Sequence, residues 1–248
     1  VPIHHSICPS TAARSDTFSP VLPEAESGQK FLEAAYCLYY TFWGKNLDEI
    51  LQPVPDNGNF KHLTQTQITS LGMKERLLYP GEVLLVREVY HVLYQDIRSY
   101  EKSGSGVALT GQPGIGKCFL PHNITTQLLN PGKTCFLYYL LLRLLQEQRT
   151  VAFQVRDKFI LFQPTGVQIY DVNSDFGYFI PEGAWALTDS CTGSTIPCSA
   201  FLVACKAGRA CIVQTTPPSR DMWRWCEKRS AHVCWMDVFP LDELIALG

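Results

Sequence analysis

Apolar positions fall into two regimes along the chain. Between Gln29 and Leu51, the residues Phe31, Leu32, Ala35, Leu38, Tyr39 and Phe42 recur at helical spacing, and Pro53 with Pro55 closes the segment, which predicts one helix. A second helix is predicted from Glu82 to about Lys102, with Leu85, Val86, Val89, Val92, Leu93 and Ile97 on one side. Ser103 to Gly106 reads SGSG, a flexible joint. Beyond it, short apolar runs alternate with helical stretches. This pattern predicts an α/β fold, a mostly parallel sheet flanked by helices. Strands are expected at Val107–Thr110, Thr150–Val155, Ala184–Thr188, Cys211–Gln214 and Val233–Val238, and a hairpin from Phe159–Phe162 and Val167–Val172 turned at Pro164-Thr165-Gly166. Thr134–Gln148 is apolar nearly all round and is expected to be an interior helix. Pro197–Lys206 and Ser219–Lys228 are expected helices, and Leu241–Leu247 begins a last one.

Three regions follow. Residues 1–27 lack periodicity and carry Pro2, Pro9, Pro20 and Pro23, the pattern of a flexible arm. Residues 28–105 are expected to form an N-terminal helical region, and residues 106–248 an α/β domain that is expected to be C-terminally incomplete. With Val1 in first place and no secretory apolar stretch, the chain is expected to be a fragment or a trimmed product.

Composition narrows the classes. The 248 residues are 46% apolar and 18% charged, enough for a sizeable core. The longest apolar run, Cys135 to Leu142, is far short of the roughly 20 residues that cross a bilayer, so no membrane is expected. Twenty-one basic against 23 acidic residues leave no field for a nucleic-acid backbone, which would be reached only through a region outside this chain. Ten cysteines include no Cys-x-x-Cys pair, and Cys135, Cys205, Cys211 and Cys234 lie in apolar runs. They read as reduced, buried small hydrophobes, and the setting as intracellular, cytoplasmic or nuclear.

The chemistry concentrates after the first expected strand of the second regime. Gly111-Gln112-Pro113-Gly114-Ile115-Gly116-Lys117 fits G-x-x-x-x-G-K, the P-loop (Walker A) pattern, in which backbone amides wrap phosphates and the lysine adds a point charge. The alternative is a plain glycine-rich turn. The next residue should carry a hydroxyl for magnesium, but it is Cys118, a soft ligand for a hard cation. Gly132-Lys133-Thr134 repeats the Gly-Lys pair and adds the hydroxyl just ahead of the apolar helix. Removing 117–132 joins Gly116 to Lys133 and yields GQPGIGKTCFLYYLLLRLL, a complete strand, loop and helix. Gly-Lys-Cys can be encoded GGT-AAG-TGT, containing the splice-donor string GTAAGT, and Asn-Pro-Gly as AAC-CCA-GGC, containing an acceptor CAG. The segment therefore reads as a translated intron, with a genuine insertion as the alternative. In the Lys117 register the following helix would be Phe119–Leu129, weakened by Pro121, Asn123, Thr125 and Thr126. In the Lys133 register, Gln127 to Pro131 lack the glycines. Weakened nucleotide binding and little turnover are expected from either.

Downstream, the run Ala184 to Asp189 is an apolar strand ending in an acid, the arrangement that sets a carboxylate beside a metal; a simple turn former is the alternative. Ser190 follows instead of Glu, leaving no residue assigned to orient water. Thr215 and Thr216 end another buried run and read either as sensors of a terminal phosphate or as the lead-in to a helix cap at Ser219. Trp223 and Trp225 read as packing rather than a stacking platform, and Arg220, Arg224 and Arg229 as weak candidates for phosphate clamps.

The interrupted GQPGIGK and TCFLYYLLLRLL, the ILF and GVQIYDV hairpin, WALTDS, IVQTTPPS and the closing WMDVFPLDELIALG together resemble the Crinkler and retrotransposon-hot-spot group of P-loop NTPases, abundant in mushroom-forming fungi. The resemblance covers about Glu82 to Gly248, and only its phosphate loop is highly specific. It implies phosphate binding by Gly111, Gly114, Gly116 and Lys133, or Lys117 in the present register. It also implies magnesium contact by Thr134 and Asp189 and a sensor role for Thr215 or Thr216. The expectation is an ATP-binding protein using Mg2+, whose ancestor coupled ATP hydrolysis to conformational change, with a protein partner of unknown identity. ATP is preferred to GTP because no Asn-Lys-x-Asp string is present. A non-catalytic binding or scaffold module, and an effector acting on nucleic acid through a further region, are the alternatives.

Overall fold

The protein is described here from a computed structural model, which describes residues 24–54, 57–64, 67, 84–101, 106–111, 132–173, 179–190 and 196–236. Of the expected arm 1–27, residues 1–23 lie outside those residues, and residues 24–27 are not an arm but the start of the first helix. Residues 112–131, with the expected helix Phe119–Leu129, and the expected last helix Leu241–Leu247 also lie outside them.

Helices α1 (Glu24–Phe42) and α2 (Leu47–Ile50) replace the single helix expected from Gln29 to Leu51. Gly44, at φ +67, supplies the left-handed residue on which a helix ends, and its amide donates to the Leu145 carbonyl at 3.1 Å. Asn46 then restarts the helix, its side-chain oxygen accepting from the Asp48 amide at 3.1 Å. Strands β1 (Gln52–Val54), β2 (Asn57–Leu63) and β3 (Leu84–Val86) pair antiparallel into a small sheet, so the region read as helical also holds strands. The expected helix from Glu82 becomes β3 followed by α3 (Glu88–Ser99). Leu84, Leu85 and Val86 are all buried, and three consecutive apolar residues fit a doubly covered strand as well as a helix face.

The large sheet takes the order β10-β4-β9-β8-β5-β6-β7, built from β4 (Val107–Thr110), β5 (Val151–Val155), β6 (Lys158–Gln163), β7 (Gly166–Asp171), β8 (Ala184–Asp189), β9 (Ala210–Thr215) and β10 (His232–Trp235). Five strands run parallel from β10 to β5, and the β6–β7 hairpin adds antiparallel at one edge. The fold is therefore mixed α/β around a mostly parallel seven-stranded sheet flanked by helices. Strands β4, β8 and β9 are buried at every position, as a sheet covered on both faces requires.

Helix α4 (Lys133–Gln146) lies on one face with α1 and α3, in an apolar cluster that runs from Phe31 through Val86, Ile97 and Phe136 to Leu187 and Val213. Helices α5 (Ser199–Lys206) and α6 (Arg220–Arg229) cover the other face, over Ala108, Ala186 and Ile212. Alternate residues of each strand thus supply the two cores. No helix among the described residues is long and apolar enough to cross a membrane.

Candidate functional site

The carboxyl ends of β4, β9 and β8 lie side by side, with Leu109 and Asp189 both in register with Thr215. The chain leaves β4 toward α4 on one face and leaves β9 for α6 on the other, the arrangement that opens a ligand crevice beyond the strand ends in open α/β sheets. At this edge Thr134, Asp189 and Thr215 make one hydrogen-bonded group, and Lys133 and Gly111 form a pair beside it.

Lys133 is the first residue of α4 and only 8% exposed, and its Nζ donates to the carbonyl of Gly111, the residue that follows β4, at 3.2 Å. Thr134 Oγ1 donates to Asp189 Oδ2 at 2.9 Å, and Thr215 Oγ1 donates to Asp189 Oδ1 at 2.9 Å. Asp189, 3% exposed, thus has a hydroxyl on each carboxylate oxygen, as a buried charge needs. Thr216 is fully buried; its amide donates to the Leu109 carbonyl at 2.9 Å and its hydroxyl to the Pro217 carbonyl at 3.2 Å, so it extends the β4–β9 pairing without touching Asp189.

Gly132 caps α4 in an extended conformation and, having no side chain, makes no side-chain cap bond. Its carbonyl accepts from the Tyr90 hydroxyl at 3.0 Å and from the Phe136 amide at 2.9 Å, so α3 holds the start of α4 in place. Gln112, Pro113, Gly114, Ile115, Gly116 and Lys117 lie outside the described residues. Lys133 lies at the strand edge and leads the apolar helix.

Several neighbours escaped the reading of the sequence. Tyr138 lies beneath the site, and burial, reinforced by the Asp189 charge, pushes its phenol well above the usual range, so it stays neutral. Gln214 and Gln154 interrupt apolar strands, and both are buried and bonded: Gln154 Oε1 accepts from Thr188 Oγ1 at 3.2 Å and from the Cys198 amide at 3.1 Å. A polar residue inside ACIVQT or VAFQV was the available signal.

Trp225 is 7% exposed, which agrees with packing rather than base stacking, and Arg224 stands in solvent. Of the four cysteines expected to be buried, Cys135, Cys205 and Cys211 are, and none of these is in a disulfide, whereas Cys234 is only partly buried; burial pushes the thiols of Cys211 and Cys226 up to about 12 and that of Cys198 to about 11. Among the described residues, no group of three His, Cys, Asp or Glu side chains is placed to hold a metal.

No protein-family model, curated protein or solved structure matches this chain.

Proposed function

We propose that the chain binds a nucleoside triphosphate, ATP, with Mg2+ at the carboxyl edge of β4, β9 and β8, as a P-loop protein. The observation that carries this reading is the convergence of Lys133 and Thr134 from α4, Asp189 from β8 and Thr215 from β9 on that edge, beside Gly111, the residue that follows β4. The donor chemistry fits. A threonine hydroxyl and a carboxylate are hard oxygen ligands suited to Mg2+, which keeps several waters and needs few protein ligands. Lys133 brings an ammonium within one backbone carbonyl of the loop, where it can pass from Gly111 to a phosphate oxygen. Mg2+ supplies neutralisation of phosphate charge when bound. Thr215 fixes the Asp189 carboxylate, which makes its sensor role indirect.

Hydrolysis coupled to conformational change is the fuller form of this reading. The alternative is a binding module that keeps the site without turnover. It is favoured by Ser190, which follows Asp189 where a carboxylate would orient water. The experiment is an ATP titration with and without Mg2+, followed by a turnover assay. Binding that strengthens with Mg2+ and is lost in Asp189→Asn supports the site, and turnover separates the two forms.

A further inference from the structure

The joint between Gly132 and Lys133 decides where α4 sends its first side chain. Gly132 takes φ −135° and ψ −151°, and Lys133 is the first helical residue. A glycine has no side chain to restrict its torsions, so this joint is soft unless another group holds it. The Tyr90 hydroxyl does so, donating to the Gly132 carbonyl at 3.0 Å from a helix 42 positions earlier in sequence. The Phe136 amide, on the same oxygen at 2.9 Å, is only the helix's own first bond and turns with it. A peptide unit is planar, so fixing that carbonyl orients the Gly132–Lys133 unit and the Lys133 Cα from which the ammonium-bearing stem departs.

Tyr90 is itself held. It is fully buried, with its ring centre 5.5 Å from that of Phe136 at 67° and 5.7 Å from that of Tyr139. The Arg87 guanidinium carbon lies 5.8 Å from the same ring centre, and a cation there polarises the phenol, which strengthens its O–H as a donor. Arg87 and Tyr90 open α3, directly after β3 of the small sheet. The bond to Gly132 therefore ties the N-terminal region to the residue that leads α4.

We infer that Tyr90 is a positioning residue of the candidate site, whose hydroxyl aims Lys133 at the phosphates, and that through this bond the N-terminal region regulates nucleotide affinity. This rests on the nucleotide reading above. Lys133 Nζ stands 3.2 Å from the Gly111 carbonyl, and a swing of the glycine joint carries the ammonium off that edge.

The test is an equilibrium titration of ATP with Mg2+ onto the full chain, Tyr90→Phe, Lys133→Met and the double variant. Tyr90→Phe keeps the packed ring and removes one oxygen. It should weaken ATP about three- to tenfold, part of the one to two decades that losing the ammonium costs. In the Lys133→Met background the same change should cost less than about twofold, because the group it aims is gone. A tyrosine that only supports the fold would cost the same factor in both backgrounds, and that outcome overturns the inference, as does unchanged ATP affinity in Tyr90→Phe. If Tyr90→Phe fails to fold, hydrogen exchange on the unaltered chain decides. ATP with Mg2+ should slow exchange around Tyr90 in α3 as well as at the start of α4, and slowing confined to α4 overturns the inference alone. A chain that binds no ATP overturns the nucleotide reading and this inference with it.

Discussion

Lys133 carries a charge into a nearly closed position, where its ammonium donates to the backbone carbonyl of Gly111. Replacing it with Met keeps the apolar stem and removes only the ammonium. The expected loss is about 1.5–3 kcal/mol of phosphate binding, one to two decades in ATP affinity, with little change in the denaturation midpoint. Thr110 is the contrasting case one residue before the loop. Among the described residues its hydroxyl is buried without a hydrogen-bond partner, and such a group costs desolvation with no return. Thr110→Val should leave stability unchanged or raise it by about 1 kcal/mol in a urea titration, and a clear loss would show that the hydroxyl has a role. At this scale the pattern of residue types was informative. Gly132-Lys133-Thr134 and the acid ending WALTD are short, chemically specific strings, and the fold gathers them. The bond between Thr215 and Asp189 was not legible, because it depends on which strands are neighbours, and the order β4-β9-β8 is set by packing across the whole sheet.

Among the elements, buried central strands and the interior helix were the easiest to read, since a run such as AWALTD or TCFLYYLLLRLL has few other uses. Expected and observed boundaries of β4 coincide, and the hairpin turns where Pro164-Thr165-Gly166 predicts. The N-terminal part was harder. Gly44 breaks α1 through its backbone angle rather than through polarity, and β3 looked like a helix because its partner β2 is distant in sequence. Close contact between elements supplies a test here. A methyl group on Gly106 would meet the Trp225 ring at 2.5 Å and the Ile212 carbonyl at 2.9 Å, and the second of these cannot rotate away. Gly106→Ala should therefore destabilise the β4–α6 contact by about 1–3 kcal/mol in urea, the cost of overpacking. A neutral result would mean that α6 is free to withdraw from the sheet.

For the molecule as a whole, the first apolar cluster joins the N-terminal helices to the large sheet, and a polar network sits at their junction. Tyr139 Oη is 2.9 Å from His91 Nδ1 and accepts from Arg143 Nε at 2.9 Å, while Arg143 pairs with Asp48 at 3.0 Å. Burial holds the His91 pKa below its ordinary 6.5, helped by the charges of Arg143 and Lys61 and opposed by Glu88 and Asp48. The neutral ring is the form the fold accepts. Its contribution to stability is complete above pH 6.5 and is lost as pH falls from there through the lowered folded-state value. Denaturant titrations at pH 7.5 and pH 5 should show a drop that is smaller in His91→Gln, and an equal drop would place the pH sensitivity elsewhere. The same core anchors α4, whose first two residues reach the candidate site, so the site depends on the N-terminal helices.

The central claim is that Lys133 and Thr134 grip a triphosphate at the end of β4 and that residues 117–132 impair that grip by splitting the loop. The most direct measurement is an equilibrium titration of Mg2+ and ATP onto three proteins: the chain, the chain lacking residues 117–132, and that shorter form carrying Lys133→Met. Tighter binding by one to two decades in the shorter form, lost again with Lys133→Met, is the predicted result. Equal affinity with and without residues 117–132, or binding indifferent to Lys133, would contradict it.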